Sequence, residues 1–454
     1  ADPQAPVDAP SAVPAIPAQK INASLVSKDA EGKEVARYNF QNVGGCLRSV
    51  DMVGQAIDST REEFRQDVSI NGNAPQGVGT LMFGLNGANP PVFDQTVYQV
   101  SSQKDDQVVL YGRAGNLTIV KTFTLKPLGE GEEAQPGNAY VISMSIAIQN
   151  NVGQTLAVRN WGVYGGATCK ISTNEGEQFT SFVVLDDGDF EDEDAGTFRH
   201  WFSDSERFRN VTDCSRLEWV GLMNQYYASV LKPAADSMSN NYFAAPIQLA
   251  LPVTQQRTPG LEVAIGLPDV DLAPAQADGK FGGVRVYSYE YFSGPKLNTM
   301  LSGMTGDFRK IDRVMDYGIF YIISYPMNWL INVFHGWFGN WGWAIVAMTF
   351  VVRAIIWPLY RKSYVSMKRM SQLQPQMKEL KDKYPDDPQR VQMEMMGLYK
   401  KYGINPLGGC LPMLLQMPIF LSFFWVLQTA AELRGSEWLG WVHDLSLPDT
   451  VYEL

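Results

Sequence analysis

Two stretches near the end of this chain are too apolar and too long to be surface loops of a water-soluble protein. Trp341–Tyr360 (WGWAIVAMTFVVRAIIWPLY) carries one charge, Arg353, in twenty residues, and Leu411–Ala430 (LPMLLQMPIFLSFFWVLQTA) carries none. About twenty apolar residues is the length a helix needs to cross the hydrocarbon of a bilayer. Trp341, Trp343, Trp357 and Tyr360 lie at the ends of the first stretch, where aromatic rings favour the headgroup level. Pro412 and Pro418 in the second are tolerated in membrane helices because neighbouring groups satisfy the freed carbonyls. We therefore expect transmembrane helices at 341–360 and 411–430. A guanidinium at a helix centre in hydrocarbon costs about 3 kcal/mol or more, which makes Arg353 a candidate functional residue. Composition alone leaves two readings open. Arg353 is seven residues from Tyr360, about 10 Å at helical rise, close enough to snorkel to the headgroups. Alternatively a wet groove surrounds it, with Thr349 one turn away on the same face.

Charge orients the two stretches. The formal net charge is -11, made of -12 over residues 1–360, +5 over 361–402, none over 403–430 and -4 over 431–454. Basic loops stay on the cytoplasmic side, so 361–410 is expected there. The larger N-terminal part and residues 431–454 then lie opposite, in the periplasm of a bacterium. The acidic body excludes a nucleic-acid-binding role. Within the basic loop, Met367, Met370, Leu373, Met377, Leu380 and Tyr384 recur at helical spacing, as do Val391, Met395, Leu398 and Tyr402. Between the two sets, Asp387 and Pro388 suit an N-cap and first helical position. This predicts an antiparallel helical hairpin, with Pro375 bending its first arm. Lys368, Arg369, Lys378, Lys381, Lys400 and Lys401 are its candidate partner-binding side chains, anionic headgroups being one partner that composition supports. The methionines either pack the hairpin or form an adaptable surface.

The first two-thirds of the chain has a different grammar. Residues 1–20 are Ala/Pro-rich and read as an extended linker. From 21 to 295, short alternating runs such as Leu117–Leu125, Tyr140–Gln149, Phe182–Leu185 and Val284–Phe292 are separated by Gly, Asn and Pro clusters. Such alternation predicts a large antiparallel β-sandwich, with a short helix near Leu222–Val230. The acidic run Asp186–Asp194 lacks the ligand spacing of a calcium loop and reads as a solvated surface loop. Residues 296–340 comprise a polar, partly helical connector and the uncharged segment Tyr317–Phe338. There Ser324, Asn328, Asn332 and His335 form a polar stripe, and only Gly339 and Asn340 precede the next apolar stretch. An amphipathic helix lying in the interface fits that pattern better than a third span. Cys46, Cys169, Cys214 and Cys410, with His200, His335 and His443, are too scattered for a metal site. One disulfide among the first three cysteines is open. The chain begins without a signal peptide or anchor, so Ala1 is not expected to be the native start.

Several of these segments carry a family pattern. Asn340–Met370 and Asn405–Phe420 (NPLGGCLPMLLQMPIF) resemble YidC-type membrane protein insertases of the YidC/Oxa/Alb family. The intramembrane arginine falls at Arg353, and the Gln-Met-Pro core of the next helix at Gln416-Met417-Pro418. Asp316-Tyr317-Gly318, Trp441–Leu445 and Trp219–Tyr227 are also similar to that family. The resemblance spans the β-region to the end of the chain and is strongest from about Val314. Gram-negative members have a helix before the position of Ala1 and three after that of Leu454, so the resemblance implies a fragment.

That resemblance implies a multi-domain inner-membrane protein: a periplasmic β-sandwich, or supersandwich, then an α-helical membrane region with a cytoplasmic hairpin. It implies insertion and folding of nascent membrane proteins, alone or with the Sec translocon, and recruitment of ribosomes or signal-recognition machinery by the hairpin. Arg353, Thr349 and Gln416 would line a hydrophilic groove. Met417, Pro418, Phe420, Phe424 and Trp425 would form the surface along which a client slides into lipid, with Phe423 as a further candidate, while Ser422, like Gln416, is a candidate to add polarity from the second helix. No cofactor, metal or enzymatic chemistry is implied, and no phosphate loop is present. Two other classes are weighed against this one. A membrane-anchored carbohydrate-binding β-sandwich would want His–carboxylate pairs, and the β-region has one histidine, His200. A channel would use Arg353 for anion selectivity.

Overall fold

The computed structural model describes residues 20–58, 65–85, 91–129, 135–195, 209–211, 214–275, 283–315, 317, 320–385, 387–402 and 411–447. The chain forms two compact units. The first is residues 1–315 together with Ala430–Gly435, and the second is 316–429 together with 436–454.

The first unit is built of antiparallel sheets. One has nine strands in the order Asp189–Asp194, Ser181–Asp186, Leu217–Met223, Tyr227–Pro233, Val284–Pro295, Val141–Asn150, Leu117–Leu125, Gln107–Ala114 and Gln99–Gln103. A six-stranded sheet runs Arg209–Val211, Tyr242–Ala250, Arg257–Leu267, Trp161–Cys169, Leu81–Phe83 and Val92–Phe93. A four-stranded sheet comprises Lys20–Lys28, Glu34–Gln41, Cys46–Ala56 and Asp67–Ile70. The centre of the large sheet is regular: Val141 to Gln149 pair without a break with Phe292 to Val284. Buried and half-buried residues alternate along Val141–Asn150, as one core-facing side requires. Aromatic contacts join the sheets. Trp161 meets Tyr287 edge-on at 5.3 Å, Phe182 lies 6.3 Å from Tyr242, and Phe40 lies 4.9 Å from Phe123. The expected β-sandwich is therefore present.

Several local expectations are corrected. Leu222–Val230 is not helical; it spans two strands joined at Asn224. The Asn224 side chain accepts from the backbone N–H groups of Tyr226 (3.2 Å) and Tyr227 (2.9 Å), replacing a helical turn with a tight bend. The acidic run is not a loop. Asp187 and Gly188, at φ 45° and 87°, turn the chain into a hairpin whose second strand, Asp189–Asp194, is the edge of the nine-stranded sheet. Charges on an edge strand deter another chain from pairing with it. Among the described residues no three His, Cys, Asp or Glu side chains are grouped to hold a metal. Cys46, Cys169 and Cys214 are buried and form no disulfide among the described residues; Cys410, His200 and nearly all of the 1–20 linker lie outside the described residues.

The connector is also less polar in place than in sequence. Its helix α1 (Asn298–Gly303) and following turns bury Met300, Leu301, Met304, Phe308, Ile311 and Val314. Asp307 and Glu290 share Lys126 at 2.9 Å each, and Trp219 Nε1 donates to the Arg309 carbonyl at 2.8 Å. The connector to Met315 is thus part of the β-unit.

One charge lies wholly inside this unit. Lys121 is fully buried; its ammonium donates to the carbonyls of Gly44 and Gly79 and sits 4.8 Å over the Tyr98 ring. Burial pushes its pKa down, while Asp94 and Cys46 pull it back. The loop bearing Gly44 must approach closely: a Cβ on Gly45, at φ 49°, would fall 2.4 Å from the Tyr98 ring. Replacing Lys121 by Met keeps the stem but leaves two buried carbonyls without that donor. We expect Lys121→Met to destabilise the β-unit by about 2–4 kcal/mol, read as an earlier urea midpoint in the loss of β-sheet circular dichroism from the full chain.

Candidate functional site

The second unit is organised around a corner. Helix α2 (Tyr321–Phe338) ends at Gly339, whose left-handed φ of 64° lets its N–H reach the His335 carbonyl at 2.7 Å. Asn340 then caps helix α3 (Trp341–Gln372), its side chain accepting from Trp343 N at 3.2 Å. The His335 ring stacks on Trp341 at 3.8 Å and 9°. Two residues therefore suffice to reverse the chain. Met327, Ile331 and Phe334 of α2 pack against Ala344 and Met348 of α3 and Val426 of helix α6 (Leu411–Thr429).

The polar stripe of α2 faces this packed interior, not solvent. Ser324 and Asn328 are buried. Asn328 Nδ2 donates to Tyr317 Oη at 3.0 Å, and Asn332 Nδ2 to the Asn328 carbonyl at 2.8 Å. The opposite face exposes Tyr321, Ile322, Tyr325, Trp329 and Trp337. An apolar face of that size is not stable against water and requires a cover.

α3 continues twelve residues past the expected end of the span at Tyr360, because Arg361–Gln372 keeps helix-forming residues with no break before Leu373. Its segment Trp341–Pro358 is long and apolar enough to cross a membrane. Thr349 is half-buried, and its hydroxyl donates to the Ile345 carbonyl at 2.9 Å. Arg353, one turn on, is exposed among the exposed apolar side chains Phe350, Ile355 and Trp357. Among the described residues no carboxylate pairs with it. A cation so placed is available to an acidic or polar group from outside the unit.

Gln416 of α6 accepts from the Tyr360 hydroxyl, which sets it level with Tyr360, about 10 Å along the helix from Arg353. The structure thus groups Thr349 with Arg353 and places Gln416 nearer the hairpin. α6 has two faces. Phe423, Val426 and Leu427 join the packed core, and Ser422 is buried with its hydroxyl on the Pro418 carbonyl at 2.7 Å. Leu414, Met417, Phe420, Leu421 and Phe424 are exposed. Pro418 and Trp425 are half-buried between the faces. Of the expected sliding surface, Met417, Phe420 and Phe424 therefore face outward and Phe423 packs inward, while Ser422, expected to add polarity, is buried against its own helix. Leu414 and Leu421 complete the outward face. Sequence spacing held that signal, but α6 is so uniformly apolar that its packed side could not be chosen without its neighbours. The run Asn405–Cys410 lies outside the described residues.

Beyond α3 the chain forms the hairpin α4 (Gln374–Lys383) and α5 (Pro388–Lys401). Asp387 caps α5, accepting from Arg390 N at 3.0 Å, with Pro388 in its first turn. Pro375 opens α4 rather than bending it, since its missing N–H is harmless in a first turn. The arms meet through half-buried Met377, Leu380, Val391, Met395 and Leu398. Met393 and Met396 point outward, and Lys368, Arg369, Lys378, Lys381, Lys400 and Lys401 are all exposed.

The tail returns to the start of α3. Asn340 Nδ2 donates to the Glu437 carbonyl at 3.1 Å, and Trp438 meets Trp343 edge-on at 6.1 Å. A Cβ added to Gly342 would fall 2.2 Å from the Trp438 ring.

A helix apolar and long enough to span a membrane, with Arg353 exposed on it, and a β-sandwich preceding it are the features of a membrane protein with a large extramembrane domain. Comparison with known proteins agrees. Residues 34–330 match the family model described as the YidC periplasmic domain, and residues 333–454 match that of the 60Kd inner membrane protein. The chain belongs to the YidC family. Proteins named membrane protein insertase YidC are similar to it. The one from Cupriavidus taiwanensis is 32% identical over 77% of this chain and 56% of its own length. The one from Aeromonas hydrophila is 29% identical over 93% of this chain and 73% of its own. The one from Cupriavidus necator is 38% identical over 52% of this chain and 39% of its own. The chain thus spans about two-fifths to three-quarters of the length of these relatives. A crystal structure of an active YidC insertase covers 96% of this chain and 79% of its own at 17% identity, with a TM-score of 0.31.

The close seat of Trp438 gives a test. Gly342→Ala forces the indole away from the start of α3, at an expected cost of about 1–3 kcal/mol. Its signature is faster proteolysis within 436–447 in the full chain, with the hairpin's protease sensitivity unchanged.

Proposed function

We propose that the chain is the client-handling part of a membrane protein insertase, with Arg353 as the positive floor of a hydrophilic groove entered from the cytoplasm. The observation that carries this reading is the guanidinium that, among the described residues, has no carboxylate partner and sits exposed beside apolar side chains. In hydrocarbon such a charge must be paired or wetted. In a wet groove it lowers the penalty of drawing a client's short polar, acidic tail partway into the membrane. Thr349 adds a polar group one turn away, and Gln416 with Tyr360 marks the groove's cytoplasmic mouth. The outward face of α6, with Met417, Phe420 and Phe424, offers an apolar track along which the client's hydrophobic segment passes into lipid.

In this reading α3 and α6 span the inner membrane and α2 lies in its periplasmic interface with Tyr325, Trp329 and Trp337 toward lipid. The hairpin is cytoplasmic, its lysines and arginines binding anionic headgroups and incoming ribosomes or signal-recognition machinery. Nascent membrane proteins are the clients, with the Sec translocon as partner for some of them. No covalent step is needed: the work is done by charge, wetting and apolar contact.

The experiment is insertion of a short client with an acidic N-terminal tail by full-length protein carrying Arg353→Ala or Arg353→Lys. We expect Arg353→Ala to reduce insertion about tenfold, the factor set by about 1.4 kcal/mol of lost attraction. Arg353→Lys should retain most activity, because charge rather than guanidinium geometry is used. Equal loss in both would show that geometry is required, and no loss in either would remove the groove.

A further inference from the structure

One basic residue in the acidic tail plays no part in the groove. Arg434 lies in Ala430–Gly435, a six-residue stretch that folds with the β-unit although the chain on both sides of it belongs to the helical unit. Its side chain is 10% exposed and that of Glu175, 3.5 Å away, is 3% exposed. The guanidinium also donates to the carbonyls of Ala56 at 3.0 Å and Ile57 at 2.7 Å. It lies 5.1 Å over the Tyr226 ring and 5.6 Å over that of Tyr227. The second Glu175 oxygen accepts from Ile171 N at 2.9 Å. Burial pushes the Glu175 carboxyl up, and Arg434 pulls it back. Two residues earlier, Glu432 accepts from Asn298 N at 3.1 Å, and Leu433 between them is buried. Three successive side chains are thus sunk into the β-unit.

A connecting loop has no need of this. Burying an ion pair carries a desolvation penalty that its own attraction repays only with well-placed extra hydrogen bonds, and here two carbonyls and two aromatic faces supply them. The arrangement specifies one seat for one stretch of chain. Lysine would not replace the arginine, because a planar fork is needed to reach the carboxylate and both carbonyls together.

We propose that Arg434 is a positioning residue. Its pairing with Glu175 latches residues 430–435, the stretch that follows α6 in the chain, into the β-domain, so that this stretch takes one seat in a folded domain rather than running as a free loop. Thr429 closes α6 and Arg434 follows five residues later, a tether of at most about 18 Å even if fully extended. This inference stands whether or not the groove reading holds.

Hydrogen exchange of the full-length protein in lipid nanodiscs tests it, comparing wild type with Arg434→Met, Glu175→Gln and the double variant. We expect amides of 430–435 and of the last turn of α6 to exchange about tenfold faster or more in each single variant. Protection of the core strands Trp161–Cys169 and Val141–Asn150 should be unchanged. The double variant should exchange no faster than either single one, as coupled partners do. Arg434→Lys should fall nearer to Arg434→Met than to wild type. Unchanged exchange at 430–435 in Arg434→Met would overturn the latch. So would a parallel loosening of every β-strand, since Arg434 would then only hold the sheets together.

Discussion

Hydrocarbon offers no partner to a polar group, and most of the polar side chains on the long helices of the second unit find one within it. Thr349, Ser422 and Thr429 each turn their hydroxyls back to a carbonyl four residues earlier in their own helix. Asn332 does the same with its amide, and Asn328 reaches Tyr317 inside the packed core. The faces left outward are apolar, from Tyr321 to Trp337 on α2 and from Leu414 to Phe424 on α6. Arg353 is the one outward charge in the spanning stretch of α3, and a guanidinium with five donors cannot be satisfied by one backbone carbonyl. Its need for water or an anion organises the functional reading.

The β-domain applies the same rule with different means. Lys121 is wholly buried yet meets two carbonyls and an aromatic face, and Arg434 meets a carboxylate, two carbonyls and two aromatic faces. Among the described residues both have hydrogen-bond acceptors within the fold, which suits anchors. Arg353 does not, which suits a residue that meets something transient. The contrast between these buried cations and the exposed Arg353 underlies the proposal that Arg353 handles clients.

Much of this was legible in the residues. The two apolar stretches, the basic hairpin between them with its Asp387 cap, and the alternating runs of the sandwich follow from spacing alone, because each is a local pattern. What was not legible depended on neighbours. Asn224 makes a turn in a segment that also suits a helix. The Asp186–Asp194 run pairs as an edge strand only because Ser181–Asp186 lies beside it. The polar stripe of α2 reads as a wet face until α3 and α6 are seen packed against it. On α6 no spacing distinguishes Phe420 from Phe423, since apolar residues occur all round the helix and only the partner helices choose the packed side. Arg434 is a single basic residue in an acidic tail, and nothing near it in sequence names Glu175.

The central claim is that a client's polar end meets Thr349 and Arg353 while its apolar segment lies along α6. Site-specific photocrosslinking in full-length protein, from Thr349, Met417 and Phe420 to a ribosome-stalled short membrane protein, tests it most directly. The account predicts adducts from all three, with Thr349 favouring the client's polar tail and Phe420 its apolar segment, and none from the packed position Phe423. Absence of adducts from Thr349, Met417 and Phe420, or equal labelling from Phe423, would contradict it.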